Sequence, residues 1–157
     1  MKASRLEFFL LGPPSIRLDG RPLAFSRRKT AAMLYYLACR TEALGRSAAA
    51  GLLWPEFPPE KARQSLRQAL YDTARIAGRD LVEGSKGFLR LKPDLEVSND
   101  SSRFVVLARK GLALAETALG GKYGTADLRK ACDTLTEAEF AYRGEFLEGF
   151  YLDDSVT

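Results

Sequence analysis

The chain has 157 residues, 46% of them hydrophobic and 28% charged, with 24 Lys/Arg against 20 Asp/Glu. That length holds one medium domain, or a small domain and part of another. No apolar run approaches the length of a membrane span and no secretory leader opens the chain, because Glu7 interrupts the short apolar start, so a soluble, cytoplasmic protein is expected. Histidine is absent, which removes the commonest general base and metal ligand. Cys39 and Cys132 are the two cysteines; a disulfide is open to them, but apolar neighbours favour two buried thiols. The net charge of +4 is unevenly spread: residues 1–91 carry 16 basic and 8 acidic side chains, residues 92–157 carry 8 and 12. A basic half joined to an acidic half points to a polyanion as partner of the first.

In chain order, RLEFFLL is apolar and aromatic, GPP breaks it, SIRL alternates, and Asp19-Gly20 is a hairpin turn before RPLAF. A small antiparallel sheet over residues 5–25 is predicted. Ser26 is placed to cap a first helix at about residues 27–39, with Ala31, Leu34 and Ala38 inward beside Met33 and Leu37. Ser47 is placed to cap a short second helix ending at Trp54-Pro55, and Pro59 suits the first turn of a third. That third helix, residues 59–77, turns Ala62, Leu66, Ala69, Leu70, Thr73 and Ala77 inward and stops at Gly78. LVEG and FLRL then flank GSKG as a β-hairpin with Lys86 at its tip, closed by Pro93.

A sheet, three helices and a hairpin make a winged helix-turn-helix, a shape that lets a helix enter the major groove while the hairpin touches the neighbouring backbone. From about residue 98 the pattern becomes all-helical. Asp100 or a nearby Ser caps a helix with Phe104, Leu107, Ala108, Leu112, Ala115 and Leu119 inward. After a GGKYG loop, Thr125 caps another, with Leu128, Ala131, Cys132, Leu135 and Ala138 inward, until Gly144 and the short apolar EFLEGFY. A helical hairpin of this kind cannot bury both its faces alone. The expected class is therefore α+β, with a winged-helix DNA-binding domain over residues 1–96 and a helical part over residues 97–157.

The segments LLGPPSIRLDGRPL, SRRKTAAMLYYLA, LLWPEFPPEKARQSLRQAL, GFLRL and AYRGEFLEGF together resemble the SARP/AfsR-type bacterial transcriptional regulators. Those proteins join an OmpR/PhoB-like winged helix to a bacterial transcriptional activation domain of tetratricopeptide-like hairpins. The resemblance implies a sequence-specific double-stranded DNA-binding activator, binding promoters usually at direct repeats, with RNA polymerase as a second partner and a homodimer as an option. It makes residues 59–77 the recognition helix, with Gln64, Arg67, Gln68 and Tyr71 toward DNA. Arg67 suits bidentate contact to guanine, and Gln68 or Gln64 to adenine; Arg63 and Arg75 suit phosphates. Arg27, Arg28 and Lys29 at the first helix and Lys86 on the wing are electrostatic candidates. Asp72, Thr73 and Ala74 depart from the family pattern, and an Asp near phosphates is repulsive. The alternative is a protein-interaction module that keeps the winged-helix shape without specific DNA reading. No enzyme, metal or cofactor is expected: the pairs Glu145/Glu148 and Asp153/Asp154 read as solvated acidic surface, and no phosphate-binding glycine loop is present.

Overall fold

The computed structural model describes residues 3–84, 87–122 and 124–152. They divide into two compact units: residues 3–8, 15–98 and 150–152 form one, residues 9–14 and 99–149 the other. The division is not linear in the sequence, since residues 9–14 fall with the helical part.

The first unit runs β1 (Ser4–Phe9), β2 (Ser15–Leu18), β3 (Arg21–Leu23), α1 (Arg28–Ala38), β4 (Leu44–Gly45), α2 (Arg46–Leu53), α3 (Pro59–Ala77), β5 (Val82–Glu83), β6 (Phe88–Leu91) and β7 (Leu95–Asn99). The expected N-terminal sheet forms and gains an unforeseen fourth strand, in the order β3-β2-β1-β7. Alternation buries Leu6 and Phe8 of β1 and Ile16 and Leu18 of β2. Asp19 and Gly20 both take positive φ, 51° and 81°, and Leu18 pairs with Arg21 across them. Two left-handed residues in a two-residue hairpin match the twist of the flanking strands. The Asp19 carboxylate accepts the Arg5 N–H at 2.7 Å, which ties the turn to β1.

A second sheet, β4-β6-β5, carries the wing. Gly45 pairs with Phe88 and Leu44 with Leu89; Val82 pairs with Leu91 and Glu83 with Arg90. This pairing corrects the expected cap of α2: the backbone stays extended through Gly45, so Gly45 rather than Ser47 is the N-cap. Similarly, α1 starts one residue later than predicted, on an extended Arg27, and Ser26 does not cap it. The three helices pack on one another and α1 packs on β6. The core contains Met33, Leu34 and Leu37 of α1, Ala49, Ala50 and Leu53 of α2, and Leu81 and Leu89 at the wing. Tyr35 is buried with its ring edge-on to Phe150, centroids 5.2 Å apart.

The second unit is a helical hairpin, α4 (Asp100–Thr117) on α5 (Thr125–Ala141). Asn99, not Asp100, caps α4: its side chain accepts from the N–H of Ser101 and Ser102. Asp100 instead turns its carboxylate to the N–H groups of Leu10 at 2.7 Å and Leu11 at 3.2 Å. Backbone pairing continues from there: Leu147 N–H donates to Leu10 O, Gly12 N–H to Glu145 O, and Leu11 bridges Phe146. Gly124 rather than Thr125 precedes α5, because the chain is still extended there. The GGKYG loop begins as a wide helical turn, Ala118–Lys122, broken by a left-handed Gly121.

The expected inward stripes of this hairpin hold in part: Ala131 and Ala138 are buried and Phe104, Leu107, Ala108, Ala115 and Leu135 half-buried, while four positions face out. Leu112 and Leu119 are 56% and 76% exposed, and Leu128 and Cys132 are also exposed. The buried helical positions are small: Gly111, Ala118, Ala131 and Ala138. A Cβ on Gly111 would lie 2.6 Å from the Leu135 side chain and 3.3 Å from its backbone nitrogen. The helices thus meet across a glycine, which turns Leu112, about 100° further round, to the outside. Neither cysteine is buried as predicted; Cys39 follows the last turn of α1 and is exposed as well.

Two outcomes follow from this packing. Gly111→Ala should destabilise the α4–α5 hairpin, because overpacking costs about 1–3 kcal/mol and the helix-propensity gain returns at most about 1 kcal/mol; a urea midpoint at or above that of the parent would contradict the close approach. Burial raises the Tyr35 phenol above its ordinary value, so its contribution to stability is complete below the unfolded value near 10 and falls as pH rises beyond it. Tyr35→Phe should therefore show a shallower alkaline loss of stability than the parent, and identical alkaline limbs in denaturation curves would refute this.

Candidate nucleic-acid interface

α3 is amphipathic, and its burial pattern fixes which side faces out. Ala62, Leu66, Ala69, Thr73 and Ala77 are buried, while Leu70 is only half-buried. Thr73 fits the core because its hydroxyl donates to the Ala69 carbonyl at 2.8 Å, leaving no orphaned polar atom. On the opposite side Arg63, Gln64, Arg67, Gln68, Tyr71 and Arg75 are all exposed. At about 100° per residue these six fall within an arc of roughly 140°, with Tyr71 near its middle. Tyr71 is 64% exposed, an unusual position for an aromatic side chain unless it has something to stack on or bond to.

The arc divides by its partners. Among the described residues, no hydrogen bond or ion pair engages Gln64, Arg67 or Tyr71. Arg63 pairs with Glu60 one turn back. Gln68 Nε2 donates to Asp72 Oδ1 at 3.0 Å, and Arg75 lies 3.9 Å from the same carboxylate. Asp72 also faces Arg27 Nη1 at 3.8 Å, so the residue that departs from the family pattern links the start of α1 to the arc. Its carboxylate is only 15% exposed.

The basic cluster that opens α1 is thus partly neutralised. Arg27 faces Asp72, Arg28 donates to the Tyr151 carbonyl at 3.4 Å, and Lys29 bonds Glu56 Oε1 at 2.5 Å. The Lys29 hydrogen bond, with help from the Glu56 backbone, holds the Glu56 carboxyl below its ordinary range. Lys86 lies outside the described residues, but the base of its hairpin is well defined. Arg46 N–H donates to Gly87 O at 2.8 Å and its guanidinium to Gly84 O at 3.2 Å. A side chain at Gly84 would collide with that guanidinium. Arg46 and Asp72 are two positioning residues that periodicity did not single out, since Arg46 bonds Gly84 and Gly87 and Asp72 faces Arg27, all far along the chain.

Among the described residues no group of three or more His, Cys, Asp or Glu comes together to hold a metal, and no helix is long and apolar enough to cross a membrane. A cleft of about 410 Å³ lies between α2 and α3, lined by Ser47, Ala50, Trp54, Phe57 and Arg63 among others.

No family model matches the chain. In sequence it is similar to the transcriptional regulatory protein EmbR of Mycobacterium bovis and of Mycobacterium tuberculosis, each 35% identical over 75 residues, which cover 47% of this chain and 19% of the relative. In fold it is similar to Mycobacterium tuberculosis EmbR solved in complex with a low-affinity phosphopeptide, with a TM-score of 0.72 and 27% identity over 94% of this chain and 38% of that one. The chain therefore spans about two-fifths of the solved relative. Sequence and fold agree with the resemblance read from the motifs: the chain is similar to a transcriptional regulatory protein over about half of its length in sequence and over nearly all of it in fold.

Proposed function

We propose that the chain is a sequence-specific double-stranded DNA-binding transcription regulator, an activator that inserts α3 in the major groove. The observation that carries this reading is the solvent-facing arc of α3, where Gln64, Arg67 and Tyr71 have no partner among the described residues. Long polar side chains presented on a rigid helix suit base edges and phosphates. In this reading residues 1–96 are the DNA-binding domain and residues 97–157 the start of an activation domain. Arg67 contacts guanine, Gln64 or Gln68 adenine, and Arg63 and Arg75 contact phosphates once DNA competes for them. Arg27, Arg28, Lys29 and Lys86 add charge toward the flanking backbone. Promoter direct repeats, RNA polymerase and a second copy of the chain are the partners this function would require, and the cytoplasm is its compartment.

The reading is tested with a duplex selected from a random pool. Arg67→Ala should weaken binding to it by roughly 1–3 kcal/mol and relax preference at one position; unchanged affinity in fluorescence anisotropy would remove α3 from the role of reader. Binding should fall steeply with added salt, because neutralised phosphates release counterions. Arg63→Ala and Arg75→Ala should each lower the salt slope by about 1 while leaving base preference intact. A parent protein that binds with no salt dependence would sink the electrostatic half of the proposal.

A further inference from the structure

The pairing of Gln68 with Asp72 has a consequence for which base the helix reads. An ionised carboxylate only accepts hydrogen bonds, whereas a carboxamide has one accepting and one donating end. The 3.0 Å contact between Gln68 and Asp72 Oδ1 can therefore be made only by the amide nitrogen. Asp72 is itself held in place: it sits one helical turn along at i+4, it is 15% exposed, and Arg27 and Arg75 stand 3.8 Å and 3.9 Å from its oxygens. Those two distances are too long for hydrogen bonds, so the contact to Gln68 is its closest side-chain bond.

We infer that Asp72 is a specificity-determining positioning residue that fixes the amide of Gln68 and makes it select adenine. This rests on the proposal that α3 reads DNA. With one N–H committed to Asp72, Gln68 keeps its carbonyl oxygen and one N–H for a ligand. That set complements adenine, which shows an N6 amino donor beside the N7 acceptor in the major groove. Cytosine supplies the donor alone. Guanine shows two acceptors, O6 and N7, and thymine an acceptor and a methyl group; either can take the free N–H, but the Gln68 oxygen then faces an acceptor or a methyl group, so only adenine satisfies both ends. An unconstrained glutamine could turn its amide over and lose this discrimination. The same carboxylate moderates the charge of Arg27 and Arg75, so its negative charge is not simply a repulsive defect at a phosphate surface.

The test is selection of bound duplexes from a random pool by the parent chain, Gln68→Ala and Asp72→Asn, with thermal melts to verify folding. The parent should enrich adenine over the other three bases at one position, by about tenfold. Gln68→Ala should flatten that position alone. Asp72→Asn, whose side chain can accept or donate, should readmit guanine and thymine there while the other positions keep their preferences. A purely structural role for Asp72 would shift the melt or lower affinity for all sequences without changing one position. Retained adenine preference in Asp72→Asn, or a parent preference for any other base at the position that Gln68→Ala flattens, would overturn this inference and leave the proposed function standing. Failure of the parent to enrich any duplex would overturn both.

Discussion

The rotation of α3 about its own axis is the constraint on which the interface depends. It is set by a buried stripe made largely of small residues, Ala62, Ala69 and Ala77, with Leu66 and Thr73 between them. Small side chains let the helix lie close to α1 and α2, and close packing leaves few alternative rotations. Thr73 adds to this a hydroxyl that is satisfied within the helix, so a polar residue in the core costs no unpaired donor. Turning the helix by one residue would move Arg67 about 100° toward that core. The exposure of the reading arc is thus the reverse side of a packing decision.

Electrostatics refines what packing presents. Five basic or amide side chains and one tyrosine share the arc, but only some are already engaged. Exposed ion pairs such as Arg63 with Glu60 are worth little in water, so they hold a side chain near its working position without opposing its transfer to a phosphate. Asp72 differs because it is mostly shielded and faces three partners on two helices. Arg46 plays a comparable part at the wing, where one side chain and its backbone bond both glycines that flank the tip. The polar arc and the wing are therefore oriented by residues outside the arc itself.

Much of the fold was legible because its signals are local. Alternation in SIRL, the Asp19-Gly20 turn, Pro59 at the start of α3 and Gly78 at its end each act within a few residues, and each appears where expected. The helix caps were less legible because tertiary pairing decides them: Gly45 starts α2 only because β4 is bonded to β6, and Asn99 caps α4 at the end of a strand. That strand, LEVSN, is short and polar on its own and is recognisable only beside β1. Leu112 and Leu119 looked like core by period alone, and Gly111 overrides them by drawing α5 to its own side. At the interface the arc of α3 followed from period and pattern, whereas the links of Asp72 to Arg27 and of Arg46 to Gly84 and Gly87 join positions too distant for any local signal.

The bonding of residues 10–12 to residues 145–147 bears on how the chain reaches its native state. Leu10, Leu11 and Gly12 are made before α5, yet their backbone partners follow it in the chain. In the folded unit Asp100 accepts from the Leu10 and Leu11 N–H groups. Contacts of such long sequence separation carry a large loop-closure cost and form late. The first unit can assemble much of its core beforehand from residues 15–98, so the helical hairpin is completed by a segment made well ahead of it. A nascent chain halted before residue 145 would hold the backbone at Leu10 and Leu11 without its later partners, an apolar edge open to competing strands.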